Sequence, residues 1–257
     1  MIYLIYAFVG LIIGLIIGGV INLLADDLPA RRSPSLPHCH ADECRHRYSP
    51  KGWLALGRFL LYGGQCPTCE QPERKRPIII ELVTALTWGL LPLFVSTVNL
   101  AEFLIIGVYL SILILVIVID VEHKLILHVV TVPTTLIAIL GLSWFLPDNN
   151  LQLAALGAVT GFVMFFFFFW IGERFFGAGA LGFGDVTLSM TMGAMLGFKL
   201  IIPTLVIGIL IGGILSGLLL VFRIVNRNSY VPYGPFLATA GMIMLVWGEP
   251  ILEWYFS

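Results

Sequence analysis

Long apolar runs separated by short polar breaks dominate the chain. An apolar stretch of about 17–25 residues is long enough to cross the hydrocarbon core of a bilayer as a helix. About eight such spans are predicted, near residues 2–24, 78–98, 103–120, 128–146, 152–172, 185–199, 200–222 and 235–252. The sixth and seventh are divided only by the weak break GFKLIIP at 197–203. Glycine is frequent in the fifth to seventh runs, as expected where helices pack closely in lipid. The phenylalanine run 165–169 reads as a lipid-facing or packing stripe without chemistry. One long interruption stands out: residues 25–77 are polar and hold most of the charge. The pattern therefore predicts an all-α polytopic membrane protein. A first transmembrane helix (1–24) leads to a small insert (25–77), and a transmembrane bundle follows (78–257).

Composition agrees and closes off a soluble fold. Of 257 residues, 59% are hydrophobic and only 11% charged, with a mean hydropathy of +0.99; a soluble domain carries about one quarter charged residues. The first apolar run has no basic region before it and is long enough to span, so it reads as a helix and not as a cleavable signal. Charge then sets direction, because Lys and Arg collect on the cytoplasmic side. Nine of the fourteen basic residues lie in the insert (Arg31, Arg32, Arg45, Arg47, Lys51, Arg58, Arg74, Lys75 and Arg76). Alternation from there places Lys124, Arg174, Arg223 and Arg227 on the same side and only Lys199 opposite. The expected protein sits in a membrane with its N-terminus outside. The loop bearing Asp120 and the Gly-rich loop before Asp185 face the cytoplasm. Topology accounts for the basic residues, which point to no nucleic-acid partner.

All four cysteines fall in the insert, as Cys39/Cys44 and Cys66/Cys69. Two close pairs about twenty residues apart match a tetrathiolate zinc site, which would staple an insert too small for a core of its own. His38, His40 and His46 crowd the first pair, so one imidazole could replace a thiolate. The alternative is two disulfides, which a reducing cytoplasm disfavours. Such a zinc is structural and names no reaction.

Acids inside membrane spans are expensive and default to a functional reading. Asp120 ends the third span, Asp185 opens the sixth, and Glu81 lies one turn into the second. Asp26, Asp27, Asp148 and Glu249 sit near loop ends and read as solvated boundary residues, while Glu122 and His123 read as interfacial polar residues. Asp185 alone could be an ordinary helix-starting carboxylate. Asp120 and Asp185 share a predicted depth on different helices, however. Two carboxylates brought together hold one proton between them, so one serves as base and the other as acid. That pair can drive water against a peptide carbonyl. Gly182 and Gly184 would let an extended backbone or a helix come close to the acid.

These residues resemble the bacterial prepilin peptidases, leader peptidase/N-methyltransferases of type IV pilus and type II secretion systems. GGVINLLADDLP is similar to the end of that family's first span, and CPTCEQPERKRPIIIELVTAL to its second cysteine pair and Glu-bearing span. VIVIDVEHKLILHVVTVP and GFGDVTLSMTMGAMLGF are similar to its two aspartate segments. The resemblance implies an aspartic protease pair at Asp120 and Asp185, with Gly182 and Gly184 as motif glycines. It implies metal ligation by Cys39, Cys44, Cys66 and Cys69. It further implies cleavage of a positively charged leader from prepilins or pseudopilins, then methylation of the new N-terminus from S-adenosylmethionine. No Gly-rich fingerprint for that cofactor is present. A pocket for it would lie between insert and bundle, where Asn22 and Glu81 are the polar candidates; interhelical hydrogen bonding is their alternative role.

The chain departs from the family pattern at several positions. Four residues, not two, separate the first cysteine pair. Asp27 replaces an Arg, Leu127–His128 a Pro-Asp or Pro-Asn, and Thr187 a Lys; the last two bear on substrate positioning. Two other readings compete: an intramembrane aspartic protease with other substrates, and a zinc-stapled transporter or assembly factor whose acids carry protons or ions. The intact cysteine insert favours the prepilin reading over the first.

Overall fold

A computed structural model describes residues 2–39, 44, 46–72, 74–95, 100–146, 149–176, 181–222 and 232–257. Among them every regular element is helical: α1 (Ile2–Asp27), α2 (Ala55–Tyr62), α3 (Arg76–Leu90), α4 (Leu100–His123), α5 (His128–Leu140), α6 (Leu151–Phe176), α7 (Phe183–Val221) and α8 (Gly234–Phe256). Six are long and apolar enough to cross a membrane, and α5 is a shorter apolar helix. The difference from the eight expected spans has two sources. The fourth run forms only the 13 residues of α5 and then a 3-10 turn, Leu142–Phe145. The sixth and seventh runs join in the 39-residue α7.

α7 is not one straight rod. Gly197 has φ 76° and ψ 173°, a conformation closed to other residues, and breaks it into two limbs. The packing shows that the limbs run in opposite directions. Leu200 lies against Gly248 late in α8, whereas Gly212 lies against Tyr233 at the start of α8. Asp185, which opens the first limb, is also near enough to Tyr233 for their charges to interact. Both ends of α7 therefore stand level with the start of α8, and the chain reverses at Gly197. The break predicted at 197–203 is real. Asn149 seals it by donating from its side-chain amide to the carbonyls of Ala194 and Met195, both at 3.0 Å. Those are carbonyls that a helix end leaves without an internal donor.

The chain divides into two compact units, residues 1–103 and 104–257, with the boundary inside α4. In the first, α1 packs on α3 through Gly10, Gly14 and Gly18, which face Trp88, Thr84/Ala85 and Glu81. Small residues four apart let the two backbones approach, the usual device in lipid. In the second unit, α7 packs on α5, α6 and α8 around a core that includes Leu113, Phe165, Met192 and Leu237. Phe165 is buried while Phe166, Phe167 and Phe168 are exposed, so the phenylalanine run serves both packing and the lipid-facing surface.

Candidate functional site

Two segments of the insert each present one cysteine pair. An isolated bridge between His38 and Arg47 and the bond from the Cys39 N–H to the His46 carbonyl (2.8 Å) close the first. The second is closed by a bridge between Gln65 and Pro72 and a bond from the Cys66 N–H to the Gln71 carbonyl (3.0 Å). The segments meet so that all four sulfurs lie within 4.8 Å of one another. Cys39 and Cys69 approach to 3.6 Å, and Cys44 and Cys66 to 3.8 Å, and none of the four is in a disulfide. Burial pushes the Cys66 thiol up, but the Thr68 and Cys69 backbone N–H groups outweigh it and bring its pKa down to about 6. The cluster can hold a metal. Among the described residues no imidazole joins it: the His38 ring contacts Ser35 and Leu36, and the His46 ring packs on Tyr48. His40 lies outside the described residues.

Glu81 takes a definite structural role. It is 1% exposed, and its carboxylate accepts the N–H groups of Ala55 (2.7 Å) and Leu56 (2.9 Å) at the start of α2. Those donors have no partner inside their own helix, and an acid there also suits the helix dipole. Asp27 corrects the expectation of a solvated boundary residue. It is 3% exposed and accepts the Ser35 N–H (2.7 Å) and hydroxyl (3.1 Å), which pins the start of the insert. Asp26 pairs with Arg76 at 2.7 Å and Glu249 with Lys199. Glu122 and His123 are exposed as expected, and Asp148 lies outside the described residues. Asn22, Asp26, Asp27, His38, Trp53 and Glu81 line one cleft that encloses about 400 Å³ of empty space, counting the part open to solvent. The Asn22 amide donates to the Pro77 carbonyl (2.9 Å), but its Oδ1 is buried without a hydrogen-bond partner.

Asp120 and Asp185 come together in the second unit. They are 3% and 2% exposed, close enough for the charge of Asp120 to act on Asp185. Three chain segments converge there. α4 delivers Asp120 in its last turn. α7 delivers Asp185 in its first turn, where Gly182 is the N-cap and its N–H reaches back to the Asp185 carboxylate. That is half of a capping box, an ordinary setting for a helix-starting carboxylate. α8 begins at Gly234, whose N–H donates to the Asp120 carboxylate. Asp120 Oδ2 and Asp185 Oδ1 are buried without a donor. Uncompensated carboxylate oxygens are costly, and such costs gather at working sites.

Two close approaches shape this centre. A Cβ at Gly184 would meet Ile126 Cβ at 2.7 Å, and one at Gly234 would meet Asp120 Oδ2 at 2.5 Å. The bare Cα of Gly184 thus admits the Ile126 segment beside the acid, and the glycines at 177 and 179 lie outside the described residues. Tyr233 and Gly234 were not singled out from sequence. Tyr-Gly-Pro at the opening of the last apolar run reads only as a helix start, and nothing local ties it to an acid more than a hundred positions away. Two departures from the family pattern also meet here. His128 Nδ1 lies 3.2 Å from the Thr187 hydroxyl.

Residues 107–217 match the Type IV leader peptidase family, and residues 12–95 match the Bacterial Peptidase A24 N-terminal domain. The chain is 27% identical to a prepilin leader peptidase/N-methyltransferase of Pseudomonas aeruginosa, over 95% of this chain and 91% of that protein. It is 28% identical to the same-named protein of Aeromonas hydrophila, over 86% and 76%. No solved structure matches the chain.

Proposed function

As a member of the type IV leader peptidase family the chain is a membrane-embedded enzyme, and we propose that Asp120 and Asp185 are its cleavage pair. It cleaves the leader of prepilins or pseudopilins and N-methylates the new N-terminus. The observation that carries the residue assignment is that both acids are buried and near enough for the charge of one to act on the other. In the cleavage step one carboxylate takes a proton from water as the water oxygen adds to the scissile carbonyl. The other gives its proton to that carbonyl's oxygen. Collapse then breaks the C–N bond, and the amine leaves with a proton returned from the pair. The Lys and Arg distribution supports a bacterial inner-membrane placement with the N-terminus outside and the aspartates facing the cytoplasm.

The four thiols fit zinc. Sulfurs held at 2.3 Å around a tetrahedral ion stand about 3.8 Å apart, close to the 3.6 and 3.8 Å seen here. Metal analysis of the purified protein should return one zinc per chain, and Cys66→Ser should lower that content sharply. Thiols oxidised in pairs with no bound metal would overturn the assignment.

S-adenosylmethionine, which supplies an activated methyl on a sulfonium, fits the cleft beside the insert. There Asn22 Oδ1 is an unmatched buried acceptor and Trp53 offers an aromatic face. Glu81 borders the cleft while its oxygens cap α2. The test of the whole reading is co-expression with a prepilin, with the mass of the pilin N-terminus as readout. Leader loss plus the mass of one methyl group is expected. Intact prepilin beside folded enzyme would refute the peptidase, and cleavage without the added methyl would refute the methyltransferase.

A further inference from the structure

The hydroxyl of Thr187 sits two residues after Asp185, 5% exposed, in a crowded set of polar contacts. It donates to the Gly184 carbonyl at 2.9 Å. Thr131 Oγ1, which also faces the Leu127 carbonyl at 3.4 Å, lies 3.3 Å from it, and His128 Nδ1 stands 3.2 Å away. A hydroxyl has one proton and two lone pairs. With its proton on Gly184 and one lone pair facing Thr131, the remaining lone pair can only accept. While that proton points to Gly184 the hydroxyl meets His128 only as an acceptor, and in that arrangement His128 carries its proton on Nδ1 and donates it to Thr187.

From this we propose that His128 is a positioning residue of the peptidase site. Its Nδ1–H fixes Thr187, and Thr187 holds the Gly184 carbonyl in the turn that aims Asp185. Its other surroundings suit that task. His128 is the first residue of α5, and its ring packs edge-on against Phe183, the first residue of α7, with centroids 5.7 Å apart. One side chain thus grips the opening turn of α7 at two points, through a ring contact and through a hydrogen bond. Below it, Thr135 and Thr191 share a bond at 2.9 Å, and Thr191 reaches the Thr131 carbonyl at 3.1 Å. These bonds remain when His128 is replaced, and Thr191 also reaches the Thr187 carbonyl at 2.8 Å, so loss of His128 should loosen chiefly the turn that carries Asp185.

The inference rests on the peptidase reading, so the experiment separates the two. Cleavage of a purified prepilin is measured for the wild-type enzyme and for His128→Phe, His128→Asn, His128→Asp, Thr187→Val and Thr187→Ser. Thermal midpoints in detergent confirm folding. Removing one such hydrogen bond is expected to lower kcat about tenfold, with KM unchanged, in His128→Phe and Thr187→Val. The double variant should be no slower than either single one, because both break the same contact. His128→Asn keeps a donor near the Nδ1 position and Thr187→Ser keeps the hydroxyl, so both should recover most of the rate. His128→Asp places an acceptor there and should not.

Full activity of His128→Phe, or single losses that multiply in the double variant, would overturn the proposal while leaving the peptidase intact. An inactive wild type would count against the peptidase reading instead. Nitrogen-15 NMR of histidine-labelled protein then still decides the positioning claim. A neutral histidine protonated on Nδ1, absent from His128→Phe and shifted in Thr187→Val, is expected; protonation of His128 on Nε2 alone would refute it.

Discussion

Asp120→Asn and Asp185→Asn should each reduce prepilin cleavage by about a thousandfold or more, the scale of losing a positioned acid or base. Asparagine keeps the size and shape of aspartate but neither takes up nor releases a proton in the reaction. Both positions are almost fully buried, so an isosteric change leaves the packing of α4, α7 and α8 in place. Thermal midpoints of the purified variants should stay near wild type or rise, because a buried acid without a full set of donors costs stability. The double variant should be no slower than either single one, since the two carboxylates act as one unit. Methylation of an already processed pilin should survive, because the cysteine insert and the cleft beside it lie within residues 1–103. Initial-rate assays in detergent on intact prepilin and on pre-cleaved pilin check both statements. Cleavage that persists in either single variant would remove that residue from the proposed pair.

Gly234→Ala should cost about a hundredfold in kcat, the scale expected when a reacting group is displaced by around 1 Å. The added methyl would stand 2.5 Å from Asp120 Oδ2 and 3.0 Å from Ile126 Cδ1. Neither neighbour has free space: the carboxylate is buried, and Ile126 is already wedged against Gly184. The Gly234 N–H survives the substitution, so the loss reports the position of Asp120 and not the absence of its donor. Gly213→Ala is the matching control, since a Cβ there meets nothing within 4 Å. Unchanged kcat in Gly234→Ala would mean that Asp120 is not held by the start of α8.

Much of this architecture is legible in the sequence because its causes are local. A bilayer demands about twenty apolar residues per crossing, so the spans announce themselves without any knowledge of packing. Cysteine spacing signals a four-sulfur site for a similar reason: each pair sits in one short segment, and bringing two segments together is a small step. The break at 197–203 was visible as a short polar lapse, and the structure places it at Gly197, whose positive φ no other residue tolerates easily.

What the sequence by itself determined is therefore the class of protein, the run of membrane segments, the metal-type insert and the two acids set apart from their apolar surroundings. Only the tertiary structure decided which groups meet those acids. Gly234 lies far along the chain from Asp120, and His128 is separated from Thr187 by 59 positions. Glu81, polar at the boundary of insert and bundle, read as a cofactor candidate or a hydrogen-bonding partner between helices, and its oxygens face the first turn of α2. Asp27 looked solvated because it borders a loop, yet the loop folds over it through Ser35. In each case the deciding term is the desolvation of a polar group. Its cost depends on which distant backbone donor arrives beside it, and no local pattern of residues encodes that arrival.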